Sequence, residues 1–82
     1  MLATAVQSTT LATVAYDALN QRLWLEFRSC AVYCYFGVPS AVHQGLMMAP
    51  SKGSYFNRNI RGRFPYHREA DGGRPQPASV RT

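Results

Sequence analysis

The sequence predicts an α+β domain in which a three-stranded antiparallel meander is covered by two short helices and followed by a disordered C-terminal tail. Three observations carry this. RLWLEF (22–27) and AVYCYF (31–36) alternate with the period of two that half-buried strands require. Pro39 and Pro50 bracket a stretch in which Val42, Leu46 and Ala49 recur at helical spacing. Beyond Arg68, EADGGRPQPASVRT holds no aromatic residue and only Val80 as a large aliphatic one, too little apolar surface to offset the entropy of ordering it.

The chain has 82 residues, enough for one domain with one thin core. Residues 1–8 show no pattern that would bury them and are expected to be a flexible N-terminus; 9–68 form the domain and 69–82 the tail. LATVAYD (11–17) is apolar and β-branched enough for a strand. Asp17 and Asn20 then supply side chains that bend a chain by bonding to their own backbone. In the second strand Leu23, Leu25 and Phe27 share one face, and Arg22, Trp24 and Glu26 the other. A short turn at Arg28, Ser29 and Cys30 makes a hairpin with the third strand. Val32 and Phe36 are expected in the core beside Leu23, Leu25 and Phe27, with Cys34 pointing the same way and Tyr33 and Tyr35 lying with Trp24 on the opposite face. A meander of this size needs a cover on its apolar side. The helix after Pro39 provides part of it, although Gly45 weakens that helix by roughly 1 kcal/mol relative to alanine. Ser51 is a suitable N-cap for a second helix over 52–60, in which Phe56 and Ile60 stack at i, i+4. Gly62 and Pro65 then impose an extended exit.

The net charge of +5 falls entirely after residue 50, because Arg22 and Arg28 balance Asp17 and Glu26 in the first part. Such asymmetry points to an anionic partner, while the plain alternative is a solvated basic face. SKGSYFNRNIRGRFPY (51–66) concentrates Lys52, Arg58, Arg61 and Arg63 among aromatic residues without an acidic one. Those four cations form an expected phosphate-binding set, with Tyr33 and Tyr35 as residues on which bases would stack. Against stacking stands the expectation that Phe64 and Tyr66 fold back over Tyr33 and Tyr35 and make a second small core there.

Few groups are available for catalysis. His43 and His67 lie in different elements with no signature carboxylate nearby, and no nucleophile–base motif is present, so an enzyme is not expected. Cys30, Cys34, His43 and His67 could be counted as four zinc ligands, but three residues separate the cysteines where zinc knuckles favour two. No metal or other cofactor is expected. On one extended segment the cysteine Cα atoms lie roughly 13 Å apart, beyond disulfide reach, which predicts free thiols. MLATAVQSTT has no basic run before an apolar core, and no apolar stretch approaches transmembrane length, so a cytoplasmic protein without membrane contact is expected.

The order of the meander, the Tyr33-Cys34-Tyr35 pattern, the stretch FGVPSAVHQGLMMAPSKGSYFNRNIRG and the closing Arg63-Phe64-Pro65-Tyr66 resemble the KTSC family. The resemblance spans about residues 6–68, and the SKGxYFN…IRG block is its most specific part. The family is named for a C-terminal domain of some lysyl-tRNA synthetases and includes small stand-alone bacterial proteins. RNA binding is what that attachment suggests, and the resemblance gives Cys34 and His43 no role. The expected function is therefore a small non-catalytic binding domain for RNA. The alternative is a protein-interaction module that dimerises or docks on a larger bacterial or phage protein through a sheet edge or aromatic face.

Overall fold

In a computed structural model that describes residues 3–71, the strands are β1 (Thr4–Ala5), β2 (Leu11–Asp17), β3 (Arg22–Phe27), β4 (Ala31–Phe36) and β5 (Tyr66–Asp71), and the helices are α1 (Ser40–Met48) and α2 (Lys52–Asn59). The strands form one five-stranded antiparallel sheet in sequence order, so each strand pairs only with its chain neighbours in the sheet. Both helices lie between β4 and β5 in the chain and cover one face. Leu46 of α1, Phe56 of α2 and the following Ile60 pack there against Leu11, Val14, Leu23, Leu25 and Val38. Among the described residues no helix is long and apolar enough to cross a membrane.

The three central strands and both helices fall where the alternation and the prolines place them. The sheet has two further strands. Residues 1–8 were expected to be flexible, yet Thr4 and Ala5 pair with Val14 and Thr13, and Val6 is buried. Arg28 holds this segment from the β3–β4 turn, its Nε donating to the Ser8 carbonyl (3.0 Å) and its Nη2 to that of Val6 (3.2 Å). A two-residue strand is too short to show a period, and its anchor lies more than twenty positions away. At the other end β5 adds to β4 through Tyr35↔Tyr66, Cys34↔His67, Tyr33↔Arg68 and Ala31↔Asp71, with an irregularity before the last pair. Strand thus occupies positions 69–71, expected to begin the disordered tail; the rest of that tail, 72–82, lies outside the described residues.

The larger correction concerns faces. The β3–β4 connection is a three-residue loop in which the Cys30 N–H donates to the Phe27 carbonyl (2.9 Å) and Cys30 itself is left-handed at φ 76°. That geometry fits a turn closed by a bulge residue, and it sets Leu25 opposite Tyr33 and Leu23 opposite Tyr35. Tyr33 and Tyr35 therefore face the helices, whereas Val32, Cys34 and Phe36 join Arg22, Trp24 and Glu26 on the other side. A shift of one residue moves a strand's entire side-chain set from one face to the other. Val32 and Phe36 are accordingly only half-buried, and Arg22 stacks on Phe36 at 5.6 Å. Cys34 is buried as expected, but between its cross-strand neighbours Trp24 and His67 on the uncovered face. Both cysteines are free.

Candidate nucleic-acid interface

Three tyrosines meet where β4, the start of β5 and the end of α2 converge. The Tyr33 and Tyr35 ring centroids are 6.4 Å apart, and Tyr66, cross-strand to Tyr35, lies 5.5 and 5.4 Å from them. Phe27 supports Tyr33 edge-on at 5.7 Å, and Phe56 supports Tyr35 in the same way at 5.8 Å. These rings bound an open groove of about 370 Å³, to which Ser29, Ala31, Arg61 and Gly62 add the remaining wall. Its floor is Tyr35, only 4% exposed, and its rim is Tyr66, 58% exposed.

The position of Arg61 follows from how α2 ends. The Ile60 and Arg61 N–H groups both donate to the Phe56 carbonyl, and Gly62 turns left-handed at φ 74°, a conformation glycine adopts without a Cβ penalty. The chain thereby reverses toward β5 with Arg61 on the groove side. Burial, and then the neighbouring Tyr66 and Tyr33, push the Tyr35 phenol up to about 12, with Arg61 acting in the opposite sense. Tyr35 thus keeps its proton and remains a donor throughout the neutral range. Its hydroxyl has no hydrogen-bond partner among the described residues.

The structure separates the expected phosphate set. Arg61 joins Tyr33 and Tyr35. Arg58 belongs to a second, smaller concavity with Ser54, Tyr55 and Asn59. Arg63 folds back so that its Nε donates to the Arg58 carbonyl (3.0 Å), which brings these two arginines together at the end of α2. Lys52 is engaged elsewhere: its Nζ donates to the carbonyls of Met47 (3.1 Å) and Ala49 (3.0 Å), capping the C-terminus of α1. Tyr66 was expected to be packing material, and it does lie against Tyr33 and Tyr35, yet it keeps most of its surface in water. The legible signal for it was Tyr66-His67-Arg68 after Pro65, in which alternate positions bear an aromatic and a cation; Arg68 lies over the Tyr33 ring at 6.0 Å. Trp24, expected beside these tyrosines, is on the other face, where its Nε1 approaches Glu69 Oε2 at 3.4 Å.

The four residues considered as zinc ligands are likewise divided between the two faces. His43 stacks on Tyr16 at 4.5 Å on the helix side, while Cys34 and His67 are paired on the uncovered face. Among the described residues no group of three or more His, Cys, Asp and Glu is arranged to hold a metal ion.

The model of the KTSC domain matches residues 7–64 of the chain. The chain belongs to the KTSC family. Relatives of this KTSC domain include a lysine–tRNA ligase of Trichormus variabilis, 49% identical over 51 residues, a stretch that makes up 62% of this chain and 9% of the ligase. An uncharacterised protein of Stutzerimonas stutzeri is 44% identical over 54 residues, 66% of this chain and 76% of that one. The crystal structure of a KTSC domain protein from Yersinia pestis superposes with a TM-score of 0.82 at 35% identity, covering 84% of this chain and 97% of the other. The KTSC chain spans about 9% of the length of the ligases it matches. The matched region contains Tyr33, Tyr35, Phe56, Arg61 and Gly62 and ends before Tyr66.

Proposed function

We propose that this KTSC domain is a small non-catalytic module that binds single-stranded RNA through the tyrosine groove and the arginines around the end of α2. The observation that carries the reading is the meeting of Tyr33, Tyr35, Tyr66 and Arg61, drawn from β4, β5 and the α2–β5 turn, on one concave surface. Tyrosine faces stack unpaired bases of any sequence, and arginines at the margin serve the phosphates. The lysine–tRNA ligase relatives act with RNA, which is consistent with this reading.

Lys52 is engaged with α1, so Arg58, Arg61 and Arg63 make the principal phosphate contacts. Three contacts to a single strand give a slope of log affinity against log salt of about −2. Fluorescence anisotropy with a labelled single-stranded RNA at several salt concentrations measures it. The folded double variant Arg58→Gln/Arg61→Gln should bind all sequences more weakly with a flatter slope. RNA binding is refuted if the wild-type domain gives no signal at low salt or the double variant binds equally well.

One observation favours a second reading, a protein-interaction module. The face with Trp24, Val32, Cys34 and Phe36 is not covered by either helix, and Trp24, Val32 and Phe36 remain half-buried there. Docking centred on Trp24 and Phe36 of that face should persist at high salt and should be weakened by Trp24→Ala rather than by the arginine substitutions.

A further inference from the structure

Tyr35 poses a physical question that RNA binding in general does not answer. The residue is only 4% exposed, yet among the described residues its hydroxyl meets no acceptor or donor. Buried polar groups are paired in the great majority of cases, and an unpaired one calls for a water or a ligand. Tyr35 and Arg61 both line the same open groove. A phenol donor and a guanidinium on two residues of one groove suit an anionic oxygen, whose hydrogen bonds are the stronger, charge-assisted kind. Arg61 is close enough to act against the raised Tyr35 pKa, as the smallest of the influences after burial, Tyr66 and Tyr33.

The other walls define what the anion is attached to. Tyr33 and Tyr66, tilted 56° to each other at 5.5 Å, both line the groove, with Arg68 over the Tyr33 ring at 6.0 Å, and Tyr66 is 58% exposed. At about 370 Å³ the groove is at the small end of the roughly 300–1,000 Å³ typical of small-molecule sites. That is room for one planar ring and one anionic group. A stacked duplex cannot present its bases to such a groove, whereas an unpaired nucleotide can be splayed out into it.

We propose that the groove is the seat of one unpaired nucleotide, its base against Tyr66 and Tyr33 and its phosphate between the Arg61 guanidinium and the Tyr35 hydroxyl. The seat deepens the RNA reading and rests on it for the source of the nucleotide, which is either an unpaired residue of an RNA strand or a free mononucleotide. Its chemistry is the same in both.

The probe is adenosine 5′-monophosphate added to the ¹⁵N-labelled domain, followed by amide shifts, with adenosine and inorganic phosphate as controls. The nucleotide should perturb Ser29, Tyr33, Tyr35, Gly62 and Tyr66 together, and each control should bind at least several-fold more weakly. Tyr35→Phe keeps the ring and removes only the hydroxyl. It should leave thermal stability unchanged or raised, because an unpaired buried group is removed, while nucleotide affinity falls by about tenfold. A residue whose role is packing alone would not divide the two measurements in that way. Tyr66→Ala tests the platform separately, and from the rim it should weaken the nucleotide without unfolding the domain.

Nucleotide shifts confined to other residues, or a folded Tyr35→Phe domain that binds adenosine 5′-monophosphate as tightly as wild type, would overturn the seat. Salt-sensitive RNA binding that neither the mononucleotide nor Tyr35→Phe affects also overturns it, while leaving the RNA reading intact. If the mononucleotide binds the groove and RNA does not bind at all, the seat stands with a free nucleotide as its occupant and the RNA reading falls.

Discussion

Gly45 of α1 lies where the ring of Tyr55 from α2 crosses it. A Cβ built on Gly45 would collide with the Tyr55 hydroxyl, Cζ and Cε2. Helix propensity alone says that Gly45→Ala should stabilise by about 1 kcal/mol. The ring contact reverses that sign: Tyr55 packs against the core, so it must shift and lose contacts, and overpacking of this kind costs about 1–3 kcal/mol. Denaturant titration should therefore show Gly45→Ala to be destabilised, and the double variant with Tyr55→Ala should show a coupling that lessens the combined loss. A second residue-scale expectation concerns His43, stacked on Tyr16, whose hydroxyl in turn donates to the Val38 carbonyl at 2.6 Å. Burial holds the His43 imidazole below its usual range. The unfolded chain consequently binds more protons than the folded one as the pH drops below the ordinary histidine value of about 6.5, and stability present above that value is lost on acidification. Thermal midpoints measured between about pH 5 and 7.5 should fall toward the acid end in wild type and less steeply in His43→Phe, which keeps a stacking ring without the titration.

The elements show where a short sequence pattern is sufficient and where it is not. α2 starts at Ser51, whose Oγ accepts from the Ser54 N–H at 3.3 Å, and that cap was legible because the residue type and the following helix are adjacent in the chain. The cation one position later, Lys52, expected to contact phosphate, has its Nζ bonded to the end of α1 across the Pro50 turn, a pairing that the α2 pattern does not show. Lys52→Met should remove two hydrogen bonds to otherwise open carbonyls and lower stability by about 1 kcal/mol, as read from chemical denaturation. The same substitution should leave the salt slope of RNA binding close to the wild-type value. The β3–β4 hairpin gives the opposite lesson. Both strands were legible from alternation, but alternation has two phases, and only the left-handed Cys30 in the loop decides which phase of β4 meets the core. Without that choice Tyr33 and Tyr35 could be assigned to one broad surface with Trp24 and not to a groove with Phe27 and Phe56.

At the scale of the molecule, β5 closes the sheet at the β4 edge and completes the groove with Tyr66. Stopping the chain after Pro65 removes that strand, uncovers one side of Tyr33 and Tyr35 and frees the hydrogen-bonding edge of β4. A loss of at least about 2 kcal/mol is expected, which for a domain of this length lowers the midpoint by roughly 10 °C in a thermal melt. A truncation that melts with wild type would show that β5 contributes little to the fold. By itself the sequence determined the three central strands, both helices, the caps and turns between them, and the concentration of positive charge after residue 50, because each depends on residues close together in the chain. It also carried the KTSC resemblance. Tertiary structure alone decided the rest. Whether Thr4–Ala5 and Tyr66–Asp71 are strands depends on an edge offered by a distant partner, and the face taken by Tyr33 and Tyr35 depends on one loop conformation. The joining of Arg61 to those tyrosines, apart from Lys52, Arg58 and Arg63, depends on where α2 stops and how Gly62 turns the chain. The first is a long-range pairing, and the other two are single-residue loop conformations whose consequences reach distant elements; residue type and spacing within a short segment specify neither.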